Sequence, residues 1–545
     1  MFRPRRALSS AERLLLARRA GALSRRPKFS LVVAGQPSNP GWRKTIESVR
    51  SQVYSNWELL LGGSRQGCPA ESLVWQALSE AQVRLLGTEG GPAEVFNRAL
   101  ASASGEWLIL LDPGDELSAD ALLCLAEAAT DRVTCIYSDE SSLDARGWAA
   151  DGIRKPGWSP ELLLSQHYTG RLAAYRCAAV RAAGGWRATL GRAAEYDLVL
   201  RLAEGEGRIE HVPRVLYYRG YREVPQPAPA AEAVTAIADA LGRRGIRGRV
   251  TPSPAAGTFS LVLEPVGEPL VSIIIPTRDH SGLLEQCVRS IVERTQYTRY
   301  EIVVVDNGSV EPETQRLFQR WSGNQRIRVL SAPGRFNYSR LNNLAVDRST
   351  SDLVLLLNND TEVINPEWLG VMVGFVQLPG VGAVGAKLYF QNDTIQHAGL
   401  ILRGGGTGPK PAMSSHKFFR RQAAGYQGAL HAVRNCSAVT AACLLVHREV
   451  YQAVGGFDEQ LAVAYNDVDF CLKLRQRGLR IVWTPLAELY HYESASRGAD
   501  RAGDPRWEQE KLRMHGKWGG MLCDDPYYNP SLSLDCTNFR LREAG

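Results

Sequence analysis

The sequence predicts an α/β protein built from two tandem units, each a mostly parallel sheet flanked by helices. Three observations predict it. One series of segments occurs twice in the same order, its apolar runs are continuous rather than alternating, and 545 residues are too many for a single core.

The first unit opens with Phe29-Ser-Leu-Val-Val33 and the second with Val271-Ser-Ile-Ile-Ile275. A helix end and a second strand follow each: Ser48–Tyr54 then Trp57-Glu-Leu-Leu-Leu61, and Ser290–Tyr297 then Tyr300-Glu-Ile-Val-Val-Val305. Further on, Trp107–Leu111 matches Leu353–Leu357, Ala183-Gly-Gly-Trp186 matches Val454-Gly-Gly-Phe457, and Tyr196-Asp-Leu-Val-Leu200 matches Val468-Asp-Phe-Cys-Leu472. β-branched runs such as Ile302–Val305 suit strands buried on both faces. Pro225-Gln-Pro-Ala-Pro229 and Pro252-Ser-Pro254 punctuate the connection, with a helical stretch, Ala231–Arg244, between them. The expected organisation is a basic tail or amphipathic helix over 1–28, a first unit over 29–224, a linker over 225–268, a second unit over 269–500 and a C-terminal extension over 501–545.

Composition narrows the function classes. With 44 % hydrophobic and 22 % charged residues the chain reads as globular, and no apolar run reaches the ~18–20 residues needed to span a bilayer. Leu14–Leu16 is followed at once by Arg18 and Arg19, unlike a secretory signal, so a cytoplasmic location is expected. The net charge is +7, but residues 1–28 carry eight Arg and one Lys against Glu12, so +8 lies there and about −1 in the rest. A neutral body argues against a nucleic-acid partner. The basic N-terminus, with capping-box spacing of Ser9 and Glu12, reads instead as a helix suited to the surface of an anionic membrane. Ten cysteines without C-x-x-C pairs suggest neither a zinc site nor a disulfide framework.

In open parallel sheets ligands sit beyond the C-terminal ends of the strands. The second unit places polar residues there repeatedly: Pro276-Thr-Arg-Asp279, Asp306-Asn-Gly-Ser309 and Asn358-Asn-Asp-Thr-Glu362, with Tyr465-Asn-Asp-Val-Asp469 and His491 later. Each has a plainer reading. Asp306-Asn-Gly is also an ordinary turn, Asn358–Asp360 a strand end, Asp467 or Asp469 a helix cap, and His491 a structural histidine. The run Gly404-Gly-Gly-Thr-Gly408 mimics a phosphate loop, but Pro409 and Pro411 follow it where a helix is required, so it reads as a loop.

Together these segments, with Asn435–Cys443, Gly455-Gly-Phe-Asp458, Asn466-Asp-Val-Asp469 and His491–Gly498, resemble the inverting glycosyltransferases of family two. The likeness spans nearly all of 271–500, and is to the two-unit, rhamnosyltransferase-like branch that builds bacterial surface polysaccharides such as O-antigen. It implies two tandem nucleotide-diphospho-sugar transferase folds of type A. It also implies a nucleotide-diphosphate sugar donor and a glycan or lipid-linked acceptor. Asp306 matches the nucleotide-binding acid, with Pro276, Thr277 and Asp279 beside it. Asn358-Asn359-Asp360 stands at the Asp-x-Asp motif, with Asp360 and His491 as ligands to Mg²⁺ or Mn²⁺. Asn358 departs from the family's Asp, which leaves one negative charge fewer and more of the metal's hold to the donor diphosphate. Arg497 would contact that diphosphate. Asp467 fits the general base, with Asp469 as second choice.

Laid on the second unit, the first loses this chemistry: Gly63 for Asp306, Ala34 and Pro37 for Pro276 and Asp279, Gly114 for Asp360 and Tyr218 for His491, with Glu195 and Asp197 opposite Asp467 and Asp469. A contrary reading has Asp112, Asp115 and Asp139 rebuild a metal site. The alternative from another class is a non-catalytic carbohydrate-binding or assembly protein, against which the acids of the second unit argue. A sugar nucleotidyltransferase would need a Gly-rich loop where Pro276-Thr-Arg-Asp279 stands.

Overall fold

The computed structural model describes residues 8–35, 39, 41–63, 79–87, 90–150, 152–221, 230–404, 410–492 and 505–542. By internal contacts the chain divides into two units, Met1–Gly245 with Tyr528–Leu532 and Leu541–Gly545, and Ile246–Tyr527 with Ser533–Arg540.

The first unit contains strands β1 (Phe29–Ala34), β2 (Trp57–Gly62), β3 (Val83–Leu85), β4 (Trp107–Leu111), β5 (Glu116–Leu117), β6 (Val133–Ser142), β7 (Ala173–Arg176) and β8 (Arg208–Arg219). They form one sheet in the order β3-β2-β1-β4-β7-β6-β8-β5. The hairpin β9 (Gly248–Pro252) and β10 (Phe259–Leu263) opens the second unit. Its sheet strands are β11 (Val271–Thr277), β12 (Tyr300–Asp306), β13 (Ile327–Ser331), β14 (Leu353–Leu357), β15 (Thr361–Val363), β16 (Val381–Tyr389), β21 (Cys443–His447) and β22 (Arg480–His491). Between β16 and β21 lie the short strands β17 (Ile395–His397), β18 (Leu400–Leu402), β19 (Ala412–Ser414) and β20 (Arg434–Cys436). The main path is β13-β12-β11-β14-β21-β16-β22-β15, the first unit's order strand for strand. In both units the sheet is mixed rather than wholly parallel, because the fifth and eighth strands of the path run against their neighbours. Strands β1, β2, β4, β11, β12 and β14 are almost wholly buried, as their continuous apolar runs require.

Helices of eight or more residues cover the sheets: α1 (Ser10–Gly21), α2 (Gly41–Arg50), α3 (Pro92–Ser102), α4 (Ala121–Ala128), α5 (Ala194–Leu202), α6 (Ala230–Arg243), α7 (Ser281–Arg294), α8 (Pro312–Trp321), α9 (Tyr338–Asp347), α10 (Trp368–Val376), α11 (Asn466–Gln476) and α12 (Pro505–Leu522). The segment expected to link the units is itself folded. Helix α6 packs on α5 in the first unit, and the β9–β10 hairpin packs on α10 in the second. Helix α1 has the capping box that Ser9 and Glu12 predict. It is not a free tail: Leu16 and Ala20 are buried in the first unit and Arg19 pairs with Glu127 at 2.7 Å, leaving Leu14 and Leu15 exposed. Among the described residues no helix is long and apolar enough to cross a membrane, and no cysteine is in a disulfide. The glycine run from Gly404 lies, beyond that first residue, outside the described residues.

The paired glycines persist in both units for one reason. Gly184, Gly185, Gly455 and Gly456 all have positive φ, which side chains rarely adopt. A Cβ on Gly456 would lie 2.6 Å from Asn343 Oδ1, and one on Gly185 would lie 2.5 Å from Asn97 Oδ1. Each of these asparagines exchanges two hydrogen bonds with the backbone of the next aromatic residue, Phe457 or Trp186.

Asp469, expected as the second candidate base, serves packing instead. It is fully buried on α11, where Oδ1 accepts from Lys517 Nζ and from Trp518 Nε1 at 2.8 Å and Oδ2 lies 3.1 Å from Lys473 Nζ. It thereby pins α12, a helix within the C-terminal extension, to α11. Asp197, its counterpart, is equally buried between Arg187 and Arg201. We expect Asp469→Ala to lower unfolding free energy by roughly 1–3 kcal/mol, because it leaves the buried Trp518 Nε1 without its acceptor and unpairs the partly exposed Lys473 and Lys517. Denaturant titration checks this, and a loss under ~0.5 kcal/mol would contradict the anchoring role.

Candidate active site

The C-terminal ends of β11, β14 and β22 converge with the start of α11 around a cleft of about 590 Å³. Pro276, Thr277, Asp279, Asn358, Asn359, Asp360, Asp467 and His491 all line it. Arg497 lies outside the described residues.

The antiparallel pairing of β15 with β22 sets Thr361 opposite His491. It brings the preceding Asp360 to the same place, with Oδ1 3.2 Å from His491 Nε2. Gln396 holds the imidazole with both ends of its amide. Its Nε2 donates to the His491 carbonyl at 3.1 Å, and its Oε1 accepts from His491 Nδ1 at 2.7 Å. With the proton on Nδ1, the single lone pair of Nε2 accepts from Asn358 Nδ2 at 3.1 Å, and a cation bound beside Asp360 would take that lone pair from the amide. The amide at 358 can donate where the family's carboxylate could not. Neighbouring His397 is deeply buried, which pushes its pKa down to about 3, and its Nε2 accepts from the Gly399 N–H at 3.2 Å. It is a structural histidine.

Across the cleft, α11 begins after Tyr465, whose left-handed backbone turns the chain sharply. Asp467 Oδ1 accepts from the Val468 N–H at 2.8 Å, which satisfies a donor of the helix's first turn, and Oδ2 accepts from Ala441 N–H at 3.3 Å. Burial raises the Asp467 pKa above the usual aspartate value, outweighing these stabilising hydrogen bonds.

On the β12 side, Asp279 Oδ1 accepts from the N–H groups of Val310 and Glu311, both at 2.8 Å. Asn359 Nδ2 donates to Thr277 Oγ1 at 3.0 Å. Asp306 ends β12 but does not line the cleft. Its Oδ1 is taken by the Ser309 N–H and hydroxyl, and Oδ2 has no protein partner among the described residues. Sequence reasoning missed Gln396, Phe336 and Tyr338. The two aromatics line the cleft from the loop before α9 and its first residue, and no motif marked any of the three.

The sequence profile described as glycosyl transferase family 2 matches residues 40–183 and 272–445, more than half of the chain. The chain belongs to that family. Over 97 % of its length the chain is 39 % identical to an uncharacterized protein, y4gI, of Sinorhizobium fredii. Over 95 % it is 36 % identical to the O-antigen biosynthesis protein RfbC of Myxococcus xanthus. It spans only 61 % and 41 % of those two relatives. A 260-residue stretch, 43 % of the chain and 78 % of the relative, is 26 % identical to the N-acetylglucosaminyl-diphospho-decaprenol L-rhamnosyltransferase of Mycobacterium tuberculosis. Among solved structures, GalNAc-T7 with UDP, GalNAc and Mn²⁺ aligns over 47 % of this chain and 49 % of its own, at 14 % identity and a TM-score of 0.38.

The first unit keeps the strands and fills the cleft differently. Gly63 follows the end of β2 as Asp306 ends β12, and Gly114, at φ 94°, stands at Asp360's place. Pro37 lies outside the described residues. Strand pairing corrects the expectation for Tyr218. Glu116 pairs with Tyr218 as Glu362 pairs with Tyr490, so Arg219, not Tyr218, overlies His491. The resemblance of Leu-Tyr-Tyr to Leu-Tyr-His had pulled the alignment by one residue. Arg219 Nε pairs with Glu140 at 3.3 Å. Arg171 lies between the two acids that correspond to Asn358 and Asp467, 3.5 Å from Asp112 and 2.9 Å from Glu195. The three acids suspected of rebuilding a metal site have separate partners. Asp112 pairs with Arg171, Asp115 accepts from Tyr217 and the Gly220 N–H, and Asp139 from the Lys155 N–H and Asn529. We expect one nucleoside diphosphate to bind per chain in a calorimetric titration with Mg²⁺, and none once the second cleft is disabled by Asp360→Ala with His491→Ala. A residual saturable equivalent in that double variant would show nucleotide binding outside the second unit's cleft.

Proposed function

We propose that the second unit moves a sugar, with inversion, from a nucleotide-diphosphate donor to a polysaccharide or lipid-linked glycan acceptor in building a cell-surface polysaccharide. The single observation that carries this is the opposition of Asp467, raised in pKa, to the Asp360–His491 pair within one cleft. The relatives' names support the pathway, and the rhamnosyltransferase among them favours a hexose or deoxyhexose donor.

Asp360 and His491 fit a divalent cation. Their 3.2 Å separation is close to the ~3 Å between neighbouring ligands of an octahedral ion with bonds of about 2.1 Å. No third His, Cys, Asp or Glu among the described residues joins them, so Asp360 and His491 are the side chains that would hold the cation. A bound Mg²⁺ or Mn²⁺ supplies Lewis acidity toward the leaving diphosphate. The chain's own part is to hold the donor along β11 and β14 and to take a proton. Asp467 accepts it from the acceptor hydroxyl as the oxygen bonds to the anomeric carbon. The bond to the nucleoside diphosphate breaks on the opposite face, so the carbon inverts.

Asp467→Asn should cut turnover by ~10²–10⁴-fold while donor affinity stays within about twofold. Protonated Asp467 cannot act as base and burial raises its pKa, so the acid limb of kcat/KM should lie above the ordinary aspartate range. A profile flat down through that range, or an active Asp467→Asn, would refute the assignment. Excess chelator should stop transfer, and Asp360→Ala and His491→Ala should each raise the metal concentration for half-maximal rate. Undiminished transfer with all divalent metal chelated would remove the metal from the reaction.

A further inference from the structure

We propose that a second cavity of the catalytic unit binds a phosphate or diphosphate group carried by the acceptor, an inference that rests on the transferase reading. This cavity, of about 680 Å³, borders the cleft and shares Phe336 with it. Arg335 and Arg340 face it from the loop before α9 and from α9 itself, and Arg506 and Arg513 from α12.

The carboxylates nearby are already committed. Glu510 is buried and accepts from the N–H groups of Ala462, Val463 and Ala464 at 3.0, 3.3 and 2.6 Å. Glu459 accepts from Asn343 at 3.1 Å, and Arg513 is held by Asp458 at 2.8 Å. Arg335 has no ion-pair partner among the described residues, and Arg340 Nη2 reaches only the Ala332 carbonyl, at 3.5 Å. Glu459 and Glu510 share this lining, but neither is ion-paired with Arg335 or Arg340, so four guanidiniums face two carboxylates and the cavity keeps an excess of positive charge; planar guanidinium forks match phosphate oxygens.

The position indicates which substrate carries the phosphate. Asp360 and His491, to which the donor diphosphate is assigned, do not line this cavity. Its floor is the loop that Glu510 fixes, and that loop runs on through Val463 and Tyr465 to Asp467. An anion held there belongs to a molecule whose hydroxyl reaches the base, which is the acceptor.

The test uses the full chain with excess Mg²⁺, its cleft saturated by whichever of UDP, GDP or dTDP binds best, titrated with inorganic pyrophosphate and with farnesyl diphosphate. Both should bind saturably, and Arg335→Ala with Arg340→Ala should weaken them by about tenfold or more while nucleotide affinity stays within about twofold. Tighter binding of farnesyl diphosphate identifies a lipid-borne phosphate, and equal binding a phosphate recognised without lipid. Absence of saturable binding, an unchanged double variant, or loss of nucleotide affinity in that variant would each overturn the proposal. A wild-type chain that binds no nucleoside diphosphate would instead remove the transferase reading, and pyrophosphate titrated alone would then judge the cavity by itself.

Discussion

The short antiparallel pairing of Thr361–Val363 with Leu489–His491 is the constraint on which the candidate site depends. It is three residues long, yet it joins the strand that follows the Asn358–Asp360 turn to the last strand of the sheet. Asp360 and His491 are far apart in sequence and meet only because this ladder is in register. A slip of one residue would turn His491 to the other face of the sheet. The remaining contacts serve that register: Gln396 fixes the ring, and Tyr492 N–H donates to the Asp360 carbonyl at 2.9 Å.

The first unit keeps the equivalent ladder, Glu116–Leu117 with Tyr217–Tyr218, and has exchanged the chemistry around it. Where the second unit offers a carboxylate and an imidazole, the first has Gly114 and Arg219, and Arg171 supplies an internal positive charge between Asp112 and Glu195. What both retain is architectural: strand order, an asparagine clamping a left-handed glycine pair, and a buried aspartate holding basic side chains. The retained features account for the repeat's visibility in the sequence.

The strands were legible because full burial on both faces demands unbroken apolar runs, as in Ile302–Val305 and Leu353–Leu357. Most of the site was legible because its residues follow those strands at once. Asp467 and Asp469 could not be separated by pattern. Two residues apart on a helix start, one faces the cleft and the other the packed interior, and Lys517 and Trp518, which decide this, lie almost fifty residues on. Gln396 was invisible for the same reason: its role is a contact across the sheet. The one-residue error at Tyr218 came from matching letters where backbone pairing sets the register. Helix α6 was legible as the stretch Ala231–Arg244, whereas the β9–β10 hairpin, and the packing of both elements onto the units, were obscured by prolines that mark turns between elements as readily as a linker.

Asn529 has a consequence for how the protein is made. Its side-chain amide donates to both oxygens of Asp139, at 3.0 and 2.9 Å, and to the Lys155 carbonyl at 3.0 Å, within the first unit. Asp139 is wholly buried, and without Asn529 part of its hydrogen bonding is missing. The first half of the chain therefore leaves the ribosome before its own fold can close. At ~5–20 residues per second, the interval between Gly245 and Asn529 is roughly 15–60 s. During that time the nascent first unit carries an incompletely satisfied buried acid, and its final consolidation waits for the synthesis of Asn529.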